Sequence, residues 1–205
     1  MIGVLDYGLG NVKAFLNIFE KADIEAQSIK TKENLFNSEK IILPGVGSFD
    51  SAMECLTDSG LLDSLNHEVL EEKKPVLGVC VGMQIMANFS EEGKRKGLGW
   101  IDGEVKKFNK NIPMKKLYVP HIGWNHLTIS EGEELFNDLN NPLFYFLHSY
   151  HYVPNNEKDI ISTTNYGYEF VSGIRNGNIW ATQFHPEKSH DWGVILLKNF
   201  VRKCF

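Results

Sequence analysis

Apolar residues recur in two textures along this chain, and the change between them falls near residue 100. In the first part, short apolar runs alternate with segments of helical period. Ile2 to Leu5 is followed by the glycine-bearing stretch Asp6 to Asn11 and then by Val12, Phe15, Leu16 and Phe19. These fall at i, i+3, i+4 and i+7, one helix face that continues to Ala22. Weaker runs at Ala26 to Ile29 and Lys40 to Leu43, a helical stretch from about Phe49, and Leu61, Leu62, Leu65 and Val69 within Leu61 to Leu70 extend the alternation. Pro75 to Val79 is a continuous apolar run of the kind found in strands buried on both faces, which belong to parallel sheets. This order predicts a doubly wound α/β sheet. From Trp100 the runs become shorter and β-like: Ile101 to Phe108, Leu117 to Ile122, Trp124 to Ile129, Leu143 to Leu147, Ile160 to Thr164, Phe170 to Arg175 and Ile179 to Phe184. Asn176-Gly177 is a hairpin-type turn among them. From Asp191 an amphipathic helix closes the chain, with Val194, Leu197 and Val201 on one side and Lys198 and Arg202 exposed.

With 42% hydrophobic residues the 205-residue chain can bury one substantial core. No linker, low-complexity run or repeat divides it, so a single domain over residues 1–205 is expected. A net charge of -5 without a basic stripe argues against nucleic acid as a partner. No apolar stretch approaches the roughly 20 residues that crossing a bilayer requires, so no membrane is expected either. Met1 to Asp6 lacks the basic segment and long apolar run of a signal peptide, which makes the cytoplasm the expected location. Cys55, Cys80 and Cys204 are too few and too scattered for a disulfide framework, and no Cys/His cluster has zinc spacing. No metal or other cofactor is expected.

Chemistry concentrates where Pro75 to Val79 ends. Lys74 to Phe89 compresses a strand, a tight turn and a helix, with Cys80 at the turn and Gly78 and Gly82 two residues to either side. That spacing is the nucleophile elbow, G-x-C-x-G, in which a strand turns so sharply that glycine is needed to clear the backbone. It predicts a thiol that is presented rather than buried, although a lone cysteine at a strand end is more often packing. The unpaired N–H groups at the start of the following helix favour a thiolate and can stabilise an oxyanion. Pro44-Gly45-Val46-Gly47-Ser48 follows another apolar strand; it is either a plain turn or a loop aiming amides at developing negative charge. Gly8 and Gly10 suggest a dinucleotide loop, but the third glycine of that fingerprint is replaced by Lys13. In Gln183-Phe184-His185-Pro186-Glu187, an extended backbone places His185 and Glu187 on the same side. A histidine base oriented by a carboxylate would complete a triad of Cys80, His185 and Glu187.

Gly78-Val79-Cys80-Val81-Gly82-Met83-Gln84 together with Gln183-Phe184-His185-Pro186-Glu187 resembles the class I glutamine amidotransferases, whose triad glutaminase domains have a flavodoxin-like α/β core. Met83, Pro44-Gly45-Val46-Gly47, Val119-Pro120-His121-Ile122-Gly123-Trp124-Asn125, His148-Ser149-Tyr150 and Glu187-Lys188-Ser189 narrow the resemblance. They are similar to the branch that serves as glutaminase subunit to a (β/α)8 barrel synthase of histidine biosynthesis, and the likeness runs from Asp6 to Phe200. The resemblance implies a central mostly parallel sheet with helices on both faces and a strand-rich C-terminal half. It implies that Cys80 forms a thioester with L-glutamine, that His185 shuttles protons and that Glu187 orients His185. The amides of Val46, Gly47 and Val81 would form the oxyanion hole, and Gln84, Glu92, Ser149 and Tyr150 would hold glutamine. Asn11, Trp124, Asn125, Tyr145 and Lys188 match positions that face the barrel in a heterodimer through which ammonia is channelled. Val81 stands where leucine is common, and His151 and His190 are departures that read as solvated loop residues. Two alternatives stay open: a paralogous glutaminase feeding another synthase, such as a sugar amidotransferase, and a non-catalytic binding subunit.

Overall fold

The computed structural model describes residues 1–109, 111–112 and 115–203, with side chains at all of these except 111, 112, 115, 116 and 203. Cys204 lies outside the described residues. Strand β1 (Ile2–Leu5) leads to α1 (Val12–Lys21), β2 (Ala26–Ile29), α2 (Lys32–Phe36), β3 (Lys40–Gly45) and α3 (Phe49–Asp58). Helix α4 (Leu62–Asn66) runs on in wider π turns over His67–Glu71. Then come β4 (Val76–Cys80), the single turn α5 (Val81–Gln84) and β5 (Phe89–Ser90). The second part adds β6 (Gly103–Lys107), β7 (Asn111–Ile112), β8 (Lys115–Lys116), β9 (His121–His126) and β10 (Thr128–Ile129). It continues through β11 (Leu143–His148), β12 (Tyr150–Pro154), β13 (Ile160–Tyr166), β14 (Tyr168–Asn176) and β15 (Ile179–Thr182) to α6 (His190–Lys203).

The main sheet is mixed. Strands β2, β1, β3, β4 and β15 lie side by side and parallel. Beyond β15 the sheet turns antiparallel through β14, β12 and β6, while β9 and β11 form a separate ladder. The order β2-β1-β3-β4 is the flavodoxin-like winding, which reverses between β1 and β3 and opens a crevice at the carboxyl ends of those strands. Every residue of β1, β3, β4 and β15 is buried, as continuous apolar runs require when both faces are covered. Helix α1 buries Val12, Phe15 and Phe19, the middle of its apolar face.

Several elements depart from the pattern. The helix expected after Cys80 is only one turn long, because the carbonyls of Ile85, Met86 and Ala87 accept from the amides of Leu98, Trp100 and Gly99 at 2.7, 2.9 and 3.1 Å. Leu117 to Ile122 and Trp124 to Ile129 are not two strands. Gly123, at φ +132°, stays in the ladder opposite Phe146, so β9 runs through it, while Pro120 just ahead has no N–H to give. Strand β12 has no counterpart in the expected list. On α6 the buried seam is Leu196, Leu197 and Phe200, with Val194 and Val201 half-buried at its margins, because Gly193 packs with its Cα against Pro186 and rotates the helix.

Candidate active site

Cys80 is both the last residue of β4 and the N-cap of α5, and its backbone sits at φ +57°, ψ -111°, a conformation disfavoured for any residue with a Cβ. The glycines around it are there for approach. A Cβ at Gly82 would lie 2.0 Å from the Leu43 carbonyl oxygen, and one at Gly45 would lie 2.3 Å from Gly82 N. Backbone therefore touches backbone where β3 meets the elbow, and Gly45 pairs in register with Cys80. Contrary to expectation the cysteine is buried, 4% exposed. Its thiol nevertheless faces a cavity of about 270 Å³, because the positive φ turns the side chain away from the sheet.

His185 comes to this cavity from the end of β15. Its N–H donates to Tyr145 O at 2.9 Å, and the Ser189 hydroxyl both donates to His185 O at 2.6 Å and accepts from Tyr145 N at 3.0 Å. Glu187 reaches His185 Nδ1 with Oε1 at 2.8 Å, both side chains buried. The contact is not made along extended backbone: Pro186–Lys188 is a 3₁₀ turn that carries Glu187 back under the ring. Glu187 Oε2 is buried without a hydrogen-bond partner among the described residues, so the carboxylate holds the imidazole by one oxygen. With Nδ1 committed, Nε2 is left for Cys80. Burial alone would lower the His185 pKa; the charge and hydrogen bond of Cys80, then those of Glu187, outweigh it and lift the group to about 10.

The remaining wall is polar. Gln84 is buried and donates from Nε2 to Tyr150 O at 3.1 Å and to Gln183 Oε1 at 3.0 Å, so the carbonyl oxygen is what it has left for a ligand. Glu92 Oε2 accepts the Phe49 N–H at 2.8 Å, at the positive end of α3. Asp50 accepts the amides of Lys94 and Arg95 at 2.9–3.0 Å, which fastens that loop to the same helix and, by those hydrogen bonds, lowers the Asp50 pKa. Val46, Gly47, Val81, Ser149 and Tyr150 line the same cavity. Gly47 sits at φ +92° with open space where a Cβ would point. The Tyr7 hydroxyl donates to Pro44 O at 2.8 Å, and Gly10 lies against the Pro44 ring, so the first loop buttresses the Pro44 to Gly47 turn. That contact accounts for Gly10 without a nucleotide.

A family profile described as "Glutamine amidotransferase class-I" matches residues 3–204. The chain belongs to the class I glutamine amidotransferases. Among its relatives, the "Imidazole glycerol phosphate synthase subunit HisH" of Leptospira interrogans is 52% identical over 201 residues, 98% of each chain. The protein of the same name from Bdellovibrio bacteriovorus is 46% identical over 202 residues, again 98% of each. The "Imidazole glycerol phosphate synthase hisHF, chloroplastic" of Arabidopsis thaliana is 41% identical over 204 residues, which are 98% of this chain and 34% of that one. Solved structures share the fold at lower identity. A glutamine amidotransferase aligns with TM-score 0.74 and 19% identity over 98% of both chains. The glutaminase domain of Trypanosoma brucei CTPS with bound acivicin aligns with TM-score 0.64 and 16% identity, over 100% of this chain and 94% of that one.

Within this class I amidotransferase, the residues expected to face a partner lie outside the cavity, except Lys188, which lines its mouth and sits 5.6 Å from the Tyr145 ring centroid. Asn11 is exposed and makes no side-chain cap to α1. Trp124 is 45% exposed and lies edge-on to Tyr145. Asn125 spends its amide internally, on Asn165 O at 2.9 Å and His121 Nε2 at 3.4 Å. His190 is exposed and stacks flat on Trp124, their centroids 5.2 Å apart. His151 is not solvated: it is buried on β12 against Phe108, and burial lowers its pKa. Sequence reasoning missed Gln183, which donates to Cys80 Sγ at 3.8 Å, and the placement of His148 and Leu147 in the cavity wall. The i, i+2 rule applied one step earlier, to Gln183 and His185, was the available signal for the first. Among the described residues no group of three or more His, Cys, Asp or Glu is placed to hold a metal ion, and no helix is long and apolar enough to cross a membrane.

Proposed function

We propose that residues 1–205 form one glutaminase domain that hydrolyses L-glutamine to glutamate and ammonia and passes the ammonia to a (β/α)8 barrel subunit making imidazole glycerol phosphate and AICAR in histidine biosynthesis. The observation that carries the chemistry is the cavity wall on which a strained Cys80 meets a His185 anchored to Glu187 at 2.8 Å. Cys80 Sγ, its proton passed to His185 Nε2, attacks the side-chain amide carbon of glutamine. The resulting oxyanion is met by the amides of Val46, Gly47 and Val81. His185 protonates the departing nitrogen, the C–N bond breaks, and ammonia leaves a thioester behind. His185 then takes a proton from water, whose oxygen attacks the thioester; the C–S bond breaks, His185 returns the proton to the Cys80 sulfur, and glutamate leaves. Gln84, Glu92, Ser149 and Tyr150 hold the amino-acid end of the substrate. The pathway rests on relatives named as imidazole glycerol phosphate synthase subunits at 41–52% identity over 98% of the chain. The Arabidopsis relative supports a synthase partner, since two thirds of its length lie outside the match. Asn11, Trp124, Tyr145 and Lys188 supply the docking face.

Cys80→Ala is expected to abolish glutamine hydrolysis while the complex still makes product from added ammonium salts, because nucleophile and acceptor lie on different proteins. Hydrolysis surviving within about tenfold of wild type overturns the role of Cys80. The competing reading is a glutaminase of the same build that feeds another synthase, such as a sugar amidotransferase. The barrel protein that co-purifies, and whether the pair forms the imidazole product, separates the two.

A further inference from the structure

Two buried histidines outside the triad stand in line behind the cavity wall. His148 ends β11, His121 opens β9, and the ladder sets them directly opposite each other. The hydrogen bonds that join them run in one direction. Asn125 Oδ1 accepts the His126 N–H at 2.9 Å, which fixes the amide, and Nδ2 then faces His121 Nε2 at 3.4 Å. An amide nitrogen only donates, so His121 keeps its proton on Nδ1, which faces His148 Nε2 at 3.1 Å. At the far end His148 Nδ1 meets the Tyr150 carbonyl at 2.8 Å. A carbonyl only accepts, so His148 carries its proton on Nδ1 as well. Both rings are neutral, and each tautomer is set from both ends of the column.

That same Tyr150 carbonyl accepts from Gln84 Nε2. Gln183 Oε1 is the second acceptor of that amide, at 3.0 Å. Were the Tyr150 peptide to turn, one of the two anchors would be lost, and the Gln84 amide could swing by half a turn for part of the time and offer N–H where an α-ammonium group needs an acceptor. We propose that His148, braced by His121, is a positioning residue: it holds the Tyr150 carbonyl so that Gln84 presents its oxygen to the α-ammonium of the bound amino acid. This rests on the glutaminase reading above. The column therefore governs KM and leaves the thioester chemistry alone.

The test is steady-state glutamine hydrolysis by the chain in complex with its barrel partner. His121→Phe keeps the stacking on Tyr166 and Phe146, whose centroids lie 3.9 and 4.8 Å away, but has no proton for His148. It is expected to raise KM about tenfold with kcat within about threefold, although His121 does not line the cavity; this is the size of one hydrogen bond to a charged group. His148→Leu should raise KM at least as much. His148→Asn, whose amide nitrogen stands where Nδ1 stood but which leaves His121 nothing to brace, should bring KM back below that of His148→Leu and no lower than that of His121→Phe. A purely structural role lowers the melting midpoint without separating KM from kcat, so thermal unfolding is recorded for each variant. If His148→Leu does not fold, His121→Phe and His148→Asn decide. A KM within about twofold of wild type in His121→Phe overturns the proposal, and so does a fall in kcat at unchanged KM. A wild-type complex that fails to hydrolyse glutamine overturns the glutaminase reading instead, which tells the two failures apart.

Discussion

His185 is drawn in opposite directions by its surroundings. Burial, the largest influence, lowers its pKa, and only the Cys80 and Glu187 contacts bring it up to about 10. Removing the sulfur should therefore do more than remove the proposed nucleophile. In Cys80→Ala the burial remains while its chief opponent is gone, and the His185 titration should move down toward the ordinary imidazole value near 6.5, followed by NMR of ring-labelled histidine. An unchanged titration would mean that Glu187 alone sustains the charge. Glu187→Gln keeps an oxygen for Nδ1 but loses the negative charge, so kcat should fall by roughly 10- to 100-fold, against roughly 1000-fold or more for His185→Ala. Equal losses would point to a second role for Glu187. Cys80, His185 and Glu187 were legible in the sequence because glycine and proline punctuate them. The line from His148 through His121 to Asn125 was not, since its direction depends on which residues two strands set opposite each other, 27 positions apart.

At the scale of elements, Cys80 and the Pro44 to Gly47 turn are one block because β3 and α5 touch through backbone at Gly45 and Gly82. Gly82→Ala would drive a methyl to 2.0 Å from the Leu43 carbonyl, an atom that cannot give without moving the strand. The expected result is a loss of about 1–3 kcal/mol, several degrees in melting midpoint, together with at least a hundredfold loss of glutaminase rate as the elbow shifts from the loop. Thermal unfolding and the steady-state assay read the two effects, and a variant with wild-type rate would show that the spacing is not needed. The parallel half was readable from β1 to β4 because buried strands and amphipathic helices have distinct periods there. Around β9 to β12 the sequence lost its grip. Gly123 reads as a break yet stays in a ladder, and Tyr150 to Pro154 gives no run long enough to stand out beside the His148-Ser149 turn. The one-turn α5 was equally hidden, because the amides of Leu98, Gly99 and Trp100 take the carbonyls that would have extended it.

Across the whole molecule the histidines set opposing limits on stability. Burial lowers the pKa values of His148 and His151 and brings His121 to about 4. Below the unfolded value near 6.5 the unfolded chain therefore binds protons that the fold refuses, and stability should fall as pH drops from about 6.5 toward 4. His185 acts the other way. Its contribution is complete below about 6.5 and is lost as pH rises through about 10. Melting midpoints from pH 4 to 10 should peak near 6.5, with the acid limb flattened in His121→Phe and the alkaline limb flattened in Cys80→Ala. A profile in which neither variant changes its limb would assign the slopes to other groups. Net stability of about 5–15 kcal/mol leaves little room, and a residue held in a disfavoured conformation uses roughly 1–3 of it. At position 80 that residue is a cysteine at φ +57°, where glycine would rest without strain. A lineage released from selection for catalysis would gain by letting glycine in, so decay of the activity in descendants should be written first in the codon for residue 80, before any drift in the core.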